Sequence, residues 1–450
     1  MIKKWFVSYG LQGIGLSSLM IVITLFAAVA LHGNVQQATA AAALYSTGTL
    51  IGSLFVGNLL DRKPLYGRVV FSGFMASSII TAVMPFSFNL KVYMVSAILL
   101  GFSISMINPA ITLYLSRHFD DEKYRKYINN FYLGNSIGIT LGTFAGGYIL
   151  SVLPMLAEAD RMRILFLVSS LLFAISAVIS ADIPKIKRIK RVRKERKFTV
   201  SVRPIFASLR LIPRTFPKKI DLSAFSKEIK LYLAGVFTIF FGANLFFSPF
   251  PVYLKEGLSI PASTIFLMYG LGNIAATLAY LFTRHAMERF RDFSIMRAVL
   301  WARIFSFFGI VVFGMLHSIE WTLVTFVLIN FTWPFLYITS TVQATKLAKD
   351  ENKGRVLGLF NVVISFAVIL ASFLSGMLAL RIGYYLTFLI GAVILFIGER
   401  ITCLVAKKVP IPKEIVEKLN ERKKKESRIR KLKIRKFSGF FKRKKFRAVL

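Results

Sequence analysis

Long runs free of charge alternate with short polar clusters almost from one end of the chain to the other. No Asp, Glu, Lys or Arg occurs between Lys4 and Asp61, between Arg68 and Lys91, between Lys91 and Arg117, or between Lys126 and Glu158. Runs of about 20 apolar residues or more are long enough to cross a bilayer as helices. A helix also satisfies its own backbone N–H and C=O groups in lipid. The pattern predicts spans near 5 to 31, 38 to 60, 68 to 88, 91 to 116, 127 to 153 and 164 to 182. After a long polar segment it predicts six more, near 231 to 254, 261 to 283, 296 to 317, 320 to 345, 356 to 380 and 383 to 406. The first run is longer than the apolar part of a signal peptide, and a second uncharged run follows it closely, so it is read as a span.

Composition strengthens this reading. Of the 450 residues 55% are hydrophobic and 18% charged, and the mean hydropathy is +0.62. A soluble fold has too little interior for so much apolar surface. The net charge of +38 would point to nucleic acid if it lay on a folded, water-facing surface. It lies instead in blocks between apolar runs, so no nucleic-acid partner is expected. With twelve spans, 53 of the 59 Lys and Arg residues fall on the face that carries the N-terminus. The opposite face carries Lys91, Arg161, Arg163, Lys255 and Arg381, and Arg303 lies within a span. Such sorting predicts a multi-pass protein of the cell membrane with both termini in the cytoplasm.

The expected organisation is a six-helix bundle over 1–182, a basic cytoplasmic linker over 183–230, a second bundle over 231–406 and a basic cytoplasmic tail over 407–450. The linker holds 16 basic and three acidic residues, and the tail 19 and four. Anionic lipid headgroups attract such stretches at roughly 1 kcal/mol per basic residue. A solvated topology anchor, regulated lipid binding and contact with RNA or the ribosome all remain open for them. Cys403 is the one cysteine, which rules out a disulfide framework or thiolate metal centre within one chain. No cofactor or metal is expected, and a monomer is the expected state.

Between the second and third spans the chain reads Gly57, Asn58, Leu59, Leu60, Asp61, Arg62, Lys63, Pro64, Leu65, Tyr66, Gly67, Arg68. This loop resembles the Gly-x-Leu-x-Asp-Arg-x-Gly-Arg signature of the major facilitator superfamily, with extra residues before the final Gly-Arg pair. The resemblance implies gating roles for Asp61, Arg62 and Arg68. The aspartate would cap a neighbouring helix start, near Asn352 to Arg355, and the arginines would pair across the cytoplasmic gate. The physics agrees, because a carboxylate at a helix N-terminus meets unpaired N–H groups and the positive end of the dipole. Gly101, Asn108 and Pro109, then Gly138, Gly142, Gly146 and Gly147, extend the similarity to the fourth and fifth spans. Residues 121–125 after the fourth span echo 350–355 after the tenth, as two parallel six-helix repeats would. Ala97 stands where proton-coupled members often carry arginine. The proline frequent in the fifth helix of antiporters is absent among the glycines here.

The implied fold is all-α and polytopic, with twelve transmembrane helices in two pseudo-symmetric six-helix bundles. Transporters of this architecture bind substrate near the bilayer midplane between the halves, on the first, fourth, seventh and tenth helices. That nominates Asn108, Asn244, Asn330, Trp333 and Tyr337 for substrate binding, with Ser105, Thr112 and a phenylalanine stripe beside them. For any one asparagine, a hydrogen bond to a neighbouring helix competes with a ligand. Amide and aromatic side chains suit a neutral or amphipathic organic solute better than a bare ion. Pro109, Pro249, Pro251 and Pro334 should interrupt the helices beside these residues. Arg303 and Glu399, at similar depths in the ninth and twelfth spans, are expected to pair. The four histidines fall near helix ends and are read as interfacial.

The expected function is secondary or facilitative transport of a small organic solute by alternating access, with export of a metabolite or drug-like compound slightly favoured. A transport-inactive receptor or scaffold is the alternative. A lipid-modifying membrane enzyme ranks lower, because no paired acids, metal cluster or activated nucleophile is visible. No phosphate-binding loop of a primary pump is present either.

Overall fold

The computed structural model describes residues 7–62, 65–118, 121–181, 225–348 and 353–408. Most of the basic linker and tail therefore lies outside the described residues, as do the side chains of Asp61 and Arg62 and the start of the eleventh span.

All regular structure among the described residues is helical, and it falls into twelve successive rods. The first six are α1 (Val7–Val29), α2 (Val35–Arg62), α3 (Tyr66–Val83), α4 (Leu90–Ile104 and Ile107–His118), α5 (Asp121–Val152) and α6 (Glu158–Ser180). The second six are α7 (Lys227–Phe247, then Phe250–Val252 and a π-helical turn Tyr253–Gly257), α8 (Ala262–Arg289), α9 (Asp292–Met315), α10 (Ile319–Phe331 and Trp333–Leu347), α11 (Lys353–Ile382) and α12 (Tyr384–Lys408). Eleven of the rods contain a stretch apolar and long enough to cross a membrane. The other, α5, is a 32-residue helix whose glycines, asparagines and threonines lower its hydropathy.

Three rods break where proline requires it. A proline has no N–H, and its ring collides with the carbonyl of the residue four positions back. Pro109 therefore follows the break at Ser105 and Met106 in α4, and Pro334 follows the break at Thr332 in α10. Pro249 and Pro251 stand in the irregular stretch of α7. The breaks in α4 and α10 occupy equivalent places in the two halves, as the repeated sequence implies.

The surface and interior are arranged as a membrane requires. Leu171, Val178, Phe305 and Leu281 are more than half exposed on outward faces, whereas serines and threonines are buried between helices. Ser78 Oγ of α3 donates to the Ser170 carbonyl of α6 at 2.9 Å, Ser169 Oγ donates to the Gly15 carbonyl of α1 at 3.1 Å, and Ser77 Oγ donates to Ser103 Oγ of α4 at 3.0 Å. Lipid gives helices no hydrophobic reason to associate, so close packing and such hydrogen bonds must hold them together. In the second half, rings fill the interior. Phe246 stacks on Phe307 at 4.3 Å between centroids, and Phe250 stacks on Phe326 at 4.8 Å.

Within the first half, α1 packs on α5 and α6, α2 on α4, and α3 on α6. In the second, α7 packs on α11, while α8 and α9 pack on α10. The halves meet along two seams, α2 with α11 and α5 with α8. The chain passes from α11 to α12 through Gly383 alone, at φ +85°, a conformation that favours glycine.

The α2–α4 contact depends on Gly48 and Gly101, since a Cβ on either would run into backbone atoms of the facing helix around Ile98 and Tyr45 respectively. Gly134 on α5 has open space where a Cβ would go. Gly101→Ala is expected to cost about 1–3 kcal/mol through forced separation of the helices. Gly134→Ala should be neutral or slightly stabilising, because alanine favours helix. Thermal melts of the two purified variants check the contrast.

Candidate functional site

A cavity of about 430 Å³ lies between the halves, walled by α1, α2, α5, α7, α8 and α11. Its polar side chains are hydroxyls and amides: Ser17, Thr24, Ser46, Thr143, Asn244, Ser248, Asn273 and Ser372. Tyr45, Phe247 and Tyr269 add rings, and among the described residues no charged side chain lines the wall.

The wall is held by bonds that cross between the halves. Asn273 Nδ2 of α8 donates to Thr143 Oγ1 of α5 at 3.0 Å, and one turn along, Ser136 Oγ and Thr277 Oγ1 share a hydrogen bond at 3.3 Å. Within the second half, Ser248 Oγ at the break in α7 bonds Ser372 Oγ of α11 at 2.7 Å. Many of the remaining hydroxyls bond carbonyls three or four residues back on their own helix, Ser46 to Ala42 and Thr24 to Ile21 among them. Such hydroxyls keep lone pairs for a guest.

Above the cavity, on the face poor in positive charge, the halves are latched. Lys255, in the π-helical turn of α7, places Nζ 2.8 and 2.6 Å from the two carboxylate oxygens of Glu158, the first residue of α6. The same carboxylate accepts the Ala262 backbone N–H, the first of α8, at 3.2 Å. Glu158 thus meets an ammonium and two helix N-termini, each of which favours negative charge. On the same face α11 presses on α2 at Gly376, where a Cβ would collide with Thr39 and the backbone of Gln36.

The sequence-derived candidates separate into groups. Asn244 lines the cavity, and its Nδ2 donates to the Phe240 carbonyl of its own helix at 2.8 Å. Trp333 stacks with Tyr337 at 6.3 Å and meets Phe240 edge-on at 5.8 Å, which puts it behind the wall. Asn330 donates to the Phe326 carbonyl and packs beside Gly272 of α8. Asn108 and Tyr337 are exposed. Arg68 is exposed at the start of α3, while the side chains of Asp61 and Arg62 lie outside the described residues.

The sequence reading did not single out Asn273, Thr143, Ser46 or Ser372. A signal for the first was available, because Tyr269, Asn273 and Thr277 repeat every four residues and so share one face of α8. The expected Arg303–Glu399 pair does not form. Glu399 is fully buried and pairs with Arg297 at 3.1 Å and with Arg400, while Arg303 turns the other way and donates to the Ile329 carbonyl at 3.2 Å. Arg297 and Arg303 are six residues apart on α9, about 120° apart around the helix, so only one of them faces α12.

Comparison with known proteins places this arrangement. The chain matches the model of the Major Facilitator Superfamily over residues 5–372 and again over 342–450. Among solved structures, a mutant of the nucleoside transporter NupG is 15% identical, with a TM-score of 0.69 over 89% of this chain and 98% of that one. A POT family transporter in complex with 5-aminolevulinic acid is 13% identical, with a TM-score of 0.69 over 90% and 96%. A bacterial homologue of the human lysosomal transporter Spinster, inward-facing and unoccupied, is 10% identical, with a TM-score of 0.66 over 90% and 96%. No curated protein sequence matches significantly. With twelve helices in two six-helix halves and a family match across nearly its whole length, the chain belongs to the Major Facilitator Superfamily and is a multi-pass membrane transporter rather than an enzyme.

Proposed function

We propose that the protein carries a small organic solute across the cell membrane by alternating access, with the cavity between the halves as its binding site. The observation that carries this reading is a mainly apolar, ring-lined cavity with placed hydroxyls and amides at the seam of two halves, closed on one face by an ion pair between them. Hydroxyls and amides with free lone pairs match a solute rich in hydrogen-bonding groups, and the rings match a flat or apolar body. Those of its named structural neighbours that move nucleosides or bind 5-aminolevulinic acid handle solutes of this size.

In this reading the halves are residues 1–182 and 231–406, and the basic face is cytoplasmic, as the sorting of Lys and Arg supports. The Glu158–Lys255 latch then closes the external face, and the cavity exchanges with the cytoplasm. The linker and tail rest against anionic lipid headgroups, the protein works as a monomer, and export is the direction to test first.

Filling the cavity should stop transport without unfolding the protein. Ser46→Phe places a ring in the open space and is expected to reduce flux in proteoliposomes to background while leaving the melting temperature near that of the parent. The latch must open for each cycle. In a Cys403→Ser background, Glu158→Cys with Lys255→Cys joined by a short bifunctional thiosulfonate should lose flux, and reductant should restore it. Flux that persists through a completed cross-link excludes alternating access by this route. Deleting 411–450 should preserve flux, whereas a scaffold operated by its tail would lose its function.

A further inference from the structure

Among the described residues, Arg303 is the one cation buried completely within a span. Its guanidinium lies 5.7 Å from the ring centroid of Phe247 and 5.3 Å from that of Trp333. Nη2 donates to the Ile329 carbonyl at 3.2 Å, where the upper segment of α10 ends, and Thr332 Oγ1 donates to the same oxygen. This part of the side chain has a structural role, since a cation suits the negative end of a helix. Nε and Nη1 have no hydrogen-bond partner among the described residues.

A buried guanidinium with unused donors lacks its counter-charge, and in hydrocarbon that is costly. Cation–π contact with two rings offsets part of the cost but leaves those N–H groups unbonded. Among the carboxylates of the same half whose side chains are described, Glu399 is engaged by Arg297 and Arg400, Asp292 by Lys346 and Gln343, and Glu256 by Tyr384, while Glu320 is exposed in the first turn of α10. Among the described residues Arg303 forms no ion pair, which leaves its counter-charge to a guest. The way in is through Phe247, which lines the cavity on one side and covers Arg303 on the other. Phe247 is the last residue of the regular part of α7, directly before the proline-broken stretch, and the other ring over Arg303 belongs to the broken α10. Both helices can shift there without disturbing a continuous backbone ladder.

We infer that Arg303 is an anion site at the back of the central cavity, opened by displacement of Phe247, and that the transported solute bears an acidic group. The inference rests on the transport reading and narrows it, from a hydrogen-bonding organic solute to an organic acid. The hydroxyls and amides of the cavity hold its body, and the guanidinium takes its charge by charge-assisted hydrogen bonds.

The test uses the purified full-length protein with Trp5, Trp301 and Trp321 each changed to Phe, which leaves Trp333 as the sole indole. Its fluorescence is quenched with iodide, caesium and neutral acrylamide. Normalised to free N-acetyltryptophanamide, which removes the higher intrinsic efficiency of iodide, iodide is expected to quench about threefold or more strongly than caesium, because an unpaired buried cation concentrates anions beside it. Arg303→Gln should abolish that preference and leave the acrylamide slope unchanged, whereas Arg303→Lys should retain it. Equal slopes for iodide and caesium, or a preference that survives Arg303→Gln, would overturn the inference. Should Arg303→Gln fail to fold, thermal shift of the parent decides. Stabilisation by benzoate beyond that by its neutral isostere benzamide supports the site, and matched stabilisation overturns it. An iodide preference beside flux that survives the Glu158–Lys255 cross-link would leave the anion site standing and remove alternating access. The reverse pattern would leave transport and remove the anion site.

Discussion

Helices in hydrocarbon gain nothing by hiding apolar surface from one another, and this constraint governs the whole structure. The chain answers it in two ways. In the first half, glycines let backbones touch and small hydroxyls reach across, as Ser169 does to Gly15 and Ser78 does to Ser170. In the second half, stacked rings around Phe246 and Phe250 add dispersion contacts to a close backbone approach at Gly242 and Gly391. The two halves share a fold but are cemented by different chemistry.

That difference bears on the cavity between them. Its walls come from helices on both seams, and one pair of lining side chains that could bind a guest, Asn273 and Thr143, also bonds the halves to each other. A solute entering there competes for groups that hold the closed form together. Binding and the loosening of the seam are then one event, which is what a carrier needs if the guest is to shift the balance between its states.

The architecture was legible because charge-free length is a direct record of bilayer thickness, and proline marks breaks by removing a donor. The order and approximate extent of the helices, the broken α4, α7 and α10, and the family loop could all be read from residue type and spacing, whereas the polar first turns of α5 and α6 begin six residues before the expected spans. The site was less legible because depth along a helix does not give its rotation. Asn244 and Asn330 lie at similar depths, yet one faces the cavity and the other packs on Gly272. Depth likewise matched Arg303 with Glu399, and rotation separated them. Helical angle within a span was the missing quantity, and the four-residue repeat of Tyr269, Asn273 and Thr277 is one case where it was present in the text of the chain.

The single-residue passage at Gly383 leaves no slack between α11, which walls the cavity, and α12. A connection of one residue spans at most about 3.8 Å between neighbouring Cα atoms, so α11 cannot slide far along its axis without carrying the start of α12. α12 also meets α7 backbone to backbone at Gly391 and Gly242. Three helices of the second half are thereby linked at short range, and a displacement of α11 at the cavity wall is passed through the corner to α12 and from there to α7.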